Sequence, residues 1–265
     1  MILPAEIDLS GMRKVRRAFW SRLADIASGR NNDQRIWERT AMANNDKLKA
    51  RTILDSSRSS AESFLKAFDT VRRARNANQG RPKNEEQDLL RASLVFAAAG
   101  LDSMLKEFIR DTIKKLAETD SKVQTELEKF VQRQIRGDSE DPETVSGHKF
   151  LASVLLAASP QDRIIEGYIR ELTGSSLQSA DQLIKATKAL GLDPNSIGLD
   201  PSKLKDTFDV RNKIIHELDV NLNTGRGKQS RQSRTKPELE SHTNHLLEVA
   251  EGILKGVEDK LRSGA

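Results

Sequence analysis

The stretch LLRASLVFAAAGLDSMLKEFI, residues 89–109, decides the fold. Leu90, Leu94, Ala97, Leu101, Leu105 and Phe108 recur at steps of three and four, which places them on one face of a helix. Ala97, Ala98 and Ala99 are small enough to let a neighbouring helix approach closely. Asn84, followed three residues later by Gln87, fits a reciprocal cap, so the pattern predicts a core helix from 85 to about 118. Asp102 falls at the edge of its apolar face and Asp111 off it.

The rest of the 265-residue chain agrees with that reading. Ala, Leu, Lys, Glu, Gln and Arg are abundant, tyrosine occurs once, and apolar–polar alternation is nearly absent, so the fold class is all-α. The chain has no cysteine, which excludes disulfides, thiolate zinc sites and a cysteine nucleophile. No GxxxxGK[ST], Gly-rich dinucleotide loop or GxSxG is present, which argues against P-loop, Rossmann and α/β-hydrolase enzymes. The start, MILPAEIDLSGMRKVRR, has no apolar run long enough for a signal peptide, and no 18-residue apolar run occurs elsewhere. A cytoplasmic protein without membrane association is expected.

Charge is unevenly spread. Residues 1–81 hold 17 Lys/Arg against 9 Asp/Glu, net +8; the remainder holds 27 against 30, net −3. A basic arm on a near-neutral body suits a polyanion, although a solvated helical arm has the same composition. Residues 8–29 form a predicted helix with Val15, Phe19, Trp20, Leu23 and Ile26 near helical spacing. Residues 34–78 are polar and sparsely apolar, so one or two long helices are expected to cross the surface or pair with another chain. Arg72, Arg73 and Arg75 close that segment with a positive cluster that suits the helix dipole as well as a phosphate.

Beyond the core helix, residues 119–137 read as an exposed polar helix and 137–142 as a loop. Pro142 is expected to open a shorter helix holding Phe150, Leu151, Val154, Leu155 and Leu156. Ser159-Pro160 with Asp162 caps the next, with Ile164, Ile165, Tyr168, Ile169 and Leu172 inward. Ser179 with Gln182 caps another, with Leu183, Ile184 and Leu190 inward and Gly191 ending it. Asp200 caps and Pro201 opens a helix to about 219. Pro237 opens the last, with Leu239, Leu246, Ala250, Ile253, Val257 and Leu261 on one face.

The helix from Pro201 contains the chain's conflict between chemistry and packing. With Leu204 set at zero and about 100° per residue, Phe208, Ile215 and Leu218 fall within about 40°, and Arg211 lies among them at about −20°. A guanidinium cannot shed its charge, so on an apolar stripe it needs a partner or lines a cleft. Asn212 and His216 lie together at the stripe's edge, one turn apart. The segment Asn221–Lys236 follows, with Arg226, Lys228, Arg231, Arg234 and Lys236, two glycines and no acid. It reads as a basic loop placed to hold a phosphate backbone, or as a solvated loop. Glu238, His242 and His245 share one side of the last helix, but HExxH is absent and edge histidines are the default, so no metal site is assigned.

The segment FDVRNKIIHEL, with Arg211, Asn212 and His216, resembles the R-x4-6-H motif of the HEPN family, in which Asn, Asp or His often follows the arginine. The stretch from Leu89 to Ile109 also resembles the first core helix of that family, particularly the RiboL-PSP-associated HEPN domains. The resemblance covers about residues 85–262 and divides the chain into an N-terminal basic helical extension, 1–80, and a bundle, 81–265. It implies an antiparallel helical bundle that forms a homodimer, with the two motif helices meeting at the two-fold. Many members are metal-independent endoribonucleases of toxin–antitoxin, phage-defence or RNA-processing systems, so RNA and an antitoxin or other regulatory protein are the implied partners and no cofactor is implied. Other members keep the fold without catalysis.

Within that resemblance each residue type has a task. His216 serves as base or acid, since an imidazole titrates near 6.5. Arg211 offers planar donors to a phosphate, and Asn212 orients His216 or binds the phosphate. Asp102 and Asp209 are the candidate supporting carboxylates of the site, Asp102 as a partner for Arg211. Two alternatives stay open. Arg211 could be an ordinary buried ion paired with one of them. The chain could also be a catalytically silent helical dimer that binds nucleic acid or a partner protein.

Overall fold

The computed structural model describes residues 32–76, 80–137, 147–177, 179–220 and 231–263, the side chains from Lys49 onward. Their α-helices are α1 (Asn32–Ala74), α2 (Asn84–Thr119), α3 (Ser121–Arg136), α4 (Gly147–Leu155), α5 (Pro160–Thr173), α6 (Ala180–Ala189), α7 (Pro201–Glu217) and α8 (Lys236–Ser263), with a 3-10 turn at Pro194–Ile197. Pairing of the strand type among these residues is confined to one bridge, Val220 with Arg231. The class is all-α. The helix expected over 8–29, the start expected at Pro142, and Arg226 and Lys228 lie outside the described residues. Among the described residues no helix is long and apolar enough to cross a membrane.

The chain divides into residues 1–45 and a unit of residues 46–265. That division replaces the one expected between 80 and 81. Ala50, Leu54, Ala61, Leu65 and Phe68 of α1 are buried in the same core as Leu90, Leu94, Leu101, Leu105 and Phe108 of α2. The sparse look of this segment comes from small residues on its buried stripe. Gly100 shows why they are small: a Cβ there would run into Ser57, whose hydroxyl donates to the Phe96 carbonyl at 2.9 Å.

Side-chain pairs give the helix directions. Lys49 reaches Glu107 at 3.7 Å and Arg75 reaches Glu86 at 2.9 Å, so α1 and α2 run oppositely. Arg51 meets Glu251 at 2.5 Å and Lys236 meets Asp69 at 2.8 Å, so α8 also opposes α1. Gln87 accepts from the Arg234 amide at 2.7 Å near the start of both α2 and α8, and Asp120 pairs with Lys260 near their ends. Helices α2 and α8, which share the most extensive seam, are therefore parallel, whereas α1 opposes both and α7 also opposes α8, with Thr207 beside His242 and Asp219 beside Arg234. The chain from α3 to α7 makes the return journey between them.

Local signals account for most helix ends. Ser159, Ser179 and Asp200 accept from backbone amides two or three residues ahead, as their spacing predicts. At α2 the cap lies one residue earlier than expected: Glu86 accepts from the Lys83 amide at 2.7 Å, while Gln87 donates to the Pro82 carbonyl at 2.9 Å. Asp120 ends α2 and caps α3, and Val123 and Phe130 of α3 are buried rather than exposed. Gly191, at φ +72°, ends the α6 turn. In α4 the expected inward set is reduced to buried Val154 and half-buried Phe150, and Leu155 and the following Leu156 are exposed.

Candidate functional site

Helix α7 is fixed at its start by Asp200, which accepts from the Ser202 and Lys203 amides at 2.9 and 3.2 Å. Leu204, Thr207, Phe208 and Ile214 are its buried residues. The apolar stripe drawn from Leu204 does not stay inside: Ile215 is 37% and Leu218 64% exposed. Arg211 sits where that stripe leaves the core.

Arg211 is half-buried, and its Nη1 donates to Asn212 Oδ1 at 2.9 Å. Its Nε is buried without a hydrogen-bond partner. Burial pushes its pKa down from the usual arginine range, against the opposing pull of Asp102. Asp102 is nonetheless committed elsewhere. One oxygen accepts from Lys106 Nζ at 3.0 Å and the other from the Leu177 amide at 2.7 Å. Asp209 is exposed. Neither carboxylate forms the ion pair that an ordinary buried arginine would need. Asn212 is therefore engaged by Arg211, and His216 is exposed on the last turn of the helix.

The end of α7 is built on a buried ion cluster that local sequence does not announce. Leu218 and Asp219 adopt left-handed φ of 48° and 59°, costing about 1 kcal/mol or more each for residues with a Cβ. Asp219 is held there by two arginines. Arg234 donates Nε and Nη2 to it at 2.9 and 2.7 Å, and Arg91 donates Nε at 3.0 Å. Burial opposes ionisation of Asp219, but these hydrogen bonds outweigh it and hold its carboxyl below the usual range. Arg91 carried a readable signal, since it stands at heptad spacing with Leu94, Ala98, Leu101 and Leu105. It is thus a second guanidinium on an apolar phase, beside the one at 211. Asp219 offers no such signal.

The basic segment after α7 is less available than its composition suggests. Arg234 is 3% exposed and also binds Glu238 at 2.6 Å. Arg231 pairs with Asp88 at 2.7 Å and donates to the Leu218 carbonyl at 3.0 Å, and Lys236 pairs with Asp69. Arg234 is a structural ion, which corrects its assignment to a backbone-binding loop. Apart from Glu238, four residues on from Arg234, the acids that engage these three come from α1, α2 and the end of α7, beyond the reach of a local reading. Arg72 and Arg75 likewise turn to Glu86.

The imidazoles of α8 do not converge. His242 Nδ1 lies 2.9 Å from Thr207 Oγ1, which donates to the Lys203 carbonyl and so is left to accept from the ring. His245 is 4% exposed with Nε2 unpaired, and Glu238 faces Arg234. Burial pushes both histidine pKa values down. Among the described residues no group of three His, Cys, Asp or Glu is arranged to hold a metal.

No protein-family model, curated protein or solved structure matches this chain. Half-buried Arg211 contrasts with the two buried arginines. Arg91 and Arg234 are saturated by carboxylates, as structural guanidinium groups must be. Arg211 is half-buried, bonded to a neutral amide, and has no carboxylate in contact.

Proposed function

We propose that the chain is a metal-independent endoribonuclease whose site is formed by Arg211, Asn212 and His216 from two copies of α7. The observation that carries this reading is the half-buried Arg211, which has Asn212 as its partner and no carboxylate in contact. Such a group is prepared for an anion, and a phosphate accepts two of its parallel donors. His216 stands exposed one turn beyond Asn212 and supplies proton transfer. Ile215 and Leu218, apolar and exposed beside these residues, suit a face that a second copy covers.

In the reaction, the imidazole of one copy removes the proton of the ribose 2′-hydroxyl, and that oxygen attacks phosphorus. The 5′-oxygen leaves and takes a proton from the imidazolium of the other copy. The two guanidinium groups stabilise the negative charge that builds on the non-bridging oxygens. The products are a 2′,3′-cyclic phosphate and a 5′-hydroxyl, and DNA, lacking the nucleophile, is not cut. The toxin–antitoxin or phage-defence setting implied by the HEPN resemblance is part of the same proposal, as is a regulatory protein partner.

The test is purified protein with total RNA in EDTA, beside the His216→Ala form. Cleavage by the first and none by the second is expected; equal cleavage by both overturns the reading. RNA binding without cleavage by the unaltered protein would identify a non-catalytic binding dimer instead.

A further inference from the structure

The outer face of α2 stands open between two other helices. With Leu101 set at zero and about 100° per residue, Arg91 lies at about 80° and Gly100 at about 260°. Arg91 is bonded to Asp219 at the end of α7, and Gly100 abuts Ser57 of α1, so α7 and α1 bound the face. Between them Val95, Ala99, Ala92 and Phe96 fall at about 120°, 160°, 180° and 220°. Ala99 is exposed, and Phe96 is 46% exposed with its ring 5.1 Å from that of Phe64 on α1. Charge is ordered along the same face. Glu85 and Asp88 stand near its start at about 200° and 140°, and Lys106 and Arg110 beyond its apolar middle at about 140° and 180°. Glu85 and Arg110 have their midpoint between residues 97 and 98, which is also the midpoint of Phe96 and Ala99; Asp88 and Lys106 have theirs at 97.

A face that is acidic at one end, apolar with small residues in the middle and basic at the other is complementary to itself turned end for end. We propose that a second copy of this chain docks on it, the two α2 helices lying antiparallel across a two-fold beside Phe96 and Ala99. Glu85 of each copy then faces Arg110 of the other, and Asp88 faces Lys106. The outer pair decides the register, because Asp88 and Lys106 also hold Arg231 and Asp102 of their own chain, whereas Arg110, 49% exposed, meets Glu107 at 3.5 Å. Ala92 and Ala99 let the two backbones approach, and Phe96 supplies apolar area. The arrangement deepens the functional reading, on which it rests for the composite site. Asp219 is bonded to Arg91, and α7 opposes α8 and hence α2. Arg211, eight residues before Asp219, is therefore level with the residue eight beyond Arg91, which is Ala99. The α2 charge pattern and the α7 anchor thus set the two-fold and Arg211 at one level, where a second copy brings its own α7.

Sedimentation equilibrium of the full chain tests this. The unaltered protein should be dimeric, and Ala99→Arg, which sets two cations together at the axis, should raise the dimer Kd at least about 100-fold. Glu85→Arg and Arg110→Glu should each raise it about tenfold, since the two-fold repeats every lost pair. The two residues are 25 positions apart on one helix, about 37 Å, and cannot meet within a chain. The Glu85→Arg/Arg110→Glu protein should therefore return to near the parent Kd. Losses that add in that double variant, or an unshifted Kd in Ala99→Arg, overturn the proposal. A monomeric parent overturns it together with the composite site. If Ala99→Arg is monomeric yet cuts RNA like the parent, the composite-site reading fails and the docking face stands. If the Kd values shift as expected but the dimer cuts no RNA, the ribonuclease reading alone fails.

Discussion

Asp219 and Arg234 form a two-point ion pair, Nε to Oδ2 at 2.9 Å and Nη2 to Oδ1 at 2.7 Å, with side chains 0% and 4% exposed. With Arg91 on the same carboxylate, the pair fastens the left-handed end of α7 to α2 and α8. Removing one member leaves a buried charge without its counterpart. Asp219→Ala and Arg234→Ala should each lower unfolding free energy by about 3–5 kcal/mol, as read from urea midpoints. The double variant should lose much less than the sum. Additive losses would mean that the two residues do not act as a pair.

Arg211 should behave in the opposite way. It is partly desolvated without a carboxylate in contact, so Arg211→Met removes a poorly compensated charge and keeps the stem's volume. Unfolding free energy should change by less than about 1 kcal/mol, against the several kcal/mol expected for Arg91→Met, whose removal leaves Asp219 underpaired. On the ribonuclease reading proposed above, RNA cleavage by Arg211→Met should fall by at least about 100-fold. A large loss of stability with cleavage intact would make Arg211 a structural ion.

Much of the fold was legible because its signals are local. Ser159, Ser179 and Asp200 cap helices where their spacing says they should, and the Leu90–Phe108 stripe is buried. What was hidden depends on partners distant in sequence. Helix α1 read as surface because Ala50, Ser57 and Ala61 occupy its buried phase, and small residues are favoured there by the close approach to Gly100 rather than by hydrophobicity. Arg234 read as a loop cation because Asp219 and Arg91 are brought to it only by the parallel packing of α2 and α8. Arg211 was legible as an anomaly, but its shortage of an anion became visible only once Asp102 was found bonded to Lys106 and Leu177.

The histidines of α8 make stability depend on pH. Burial holds the pKa of His242 and His245 below the unfolded value near 6.5, with Lys203 adding to the effect at both. Below about 6.5 the unfolded chain therefore binds more protons than the folded one, and stability falls as pH drops from that point through the depressed folded values. The urea midpoint should decrease between pH 7 and pH 5. His245→Leu removes a buried nitrogen that has no partner, so it should be neutral or stabilising at pH 7 and should flatten this part of the profile. An identical slope in the variant would exclude His245 as a contributor.

Gly100 and Ser57 test the close crossing of α1 and α2. A methyl at 100 has no room, because the Ser57 side chain occupies that space and is tied to the Phe96 carbonyl. Glycine inside a helix costs roughly 0.5–1 kcal/mol relative to alanine, so on propensity alone Gly100→Ala should stabilise. Overpacking should prevail and give a net loss of about 1–3 kcal/mol in chemical denaturation. Ser57→Gly empties the contested space, and in that background Gly100→Ala should become neutral or favourable by propensity. If Gly100→Ala stabilises the unaltered protein, the two helices cross farther apart than described, and burial of Leu54 and Leu65 against α2 would be smaller as well.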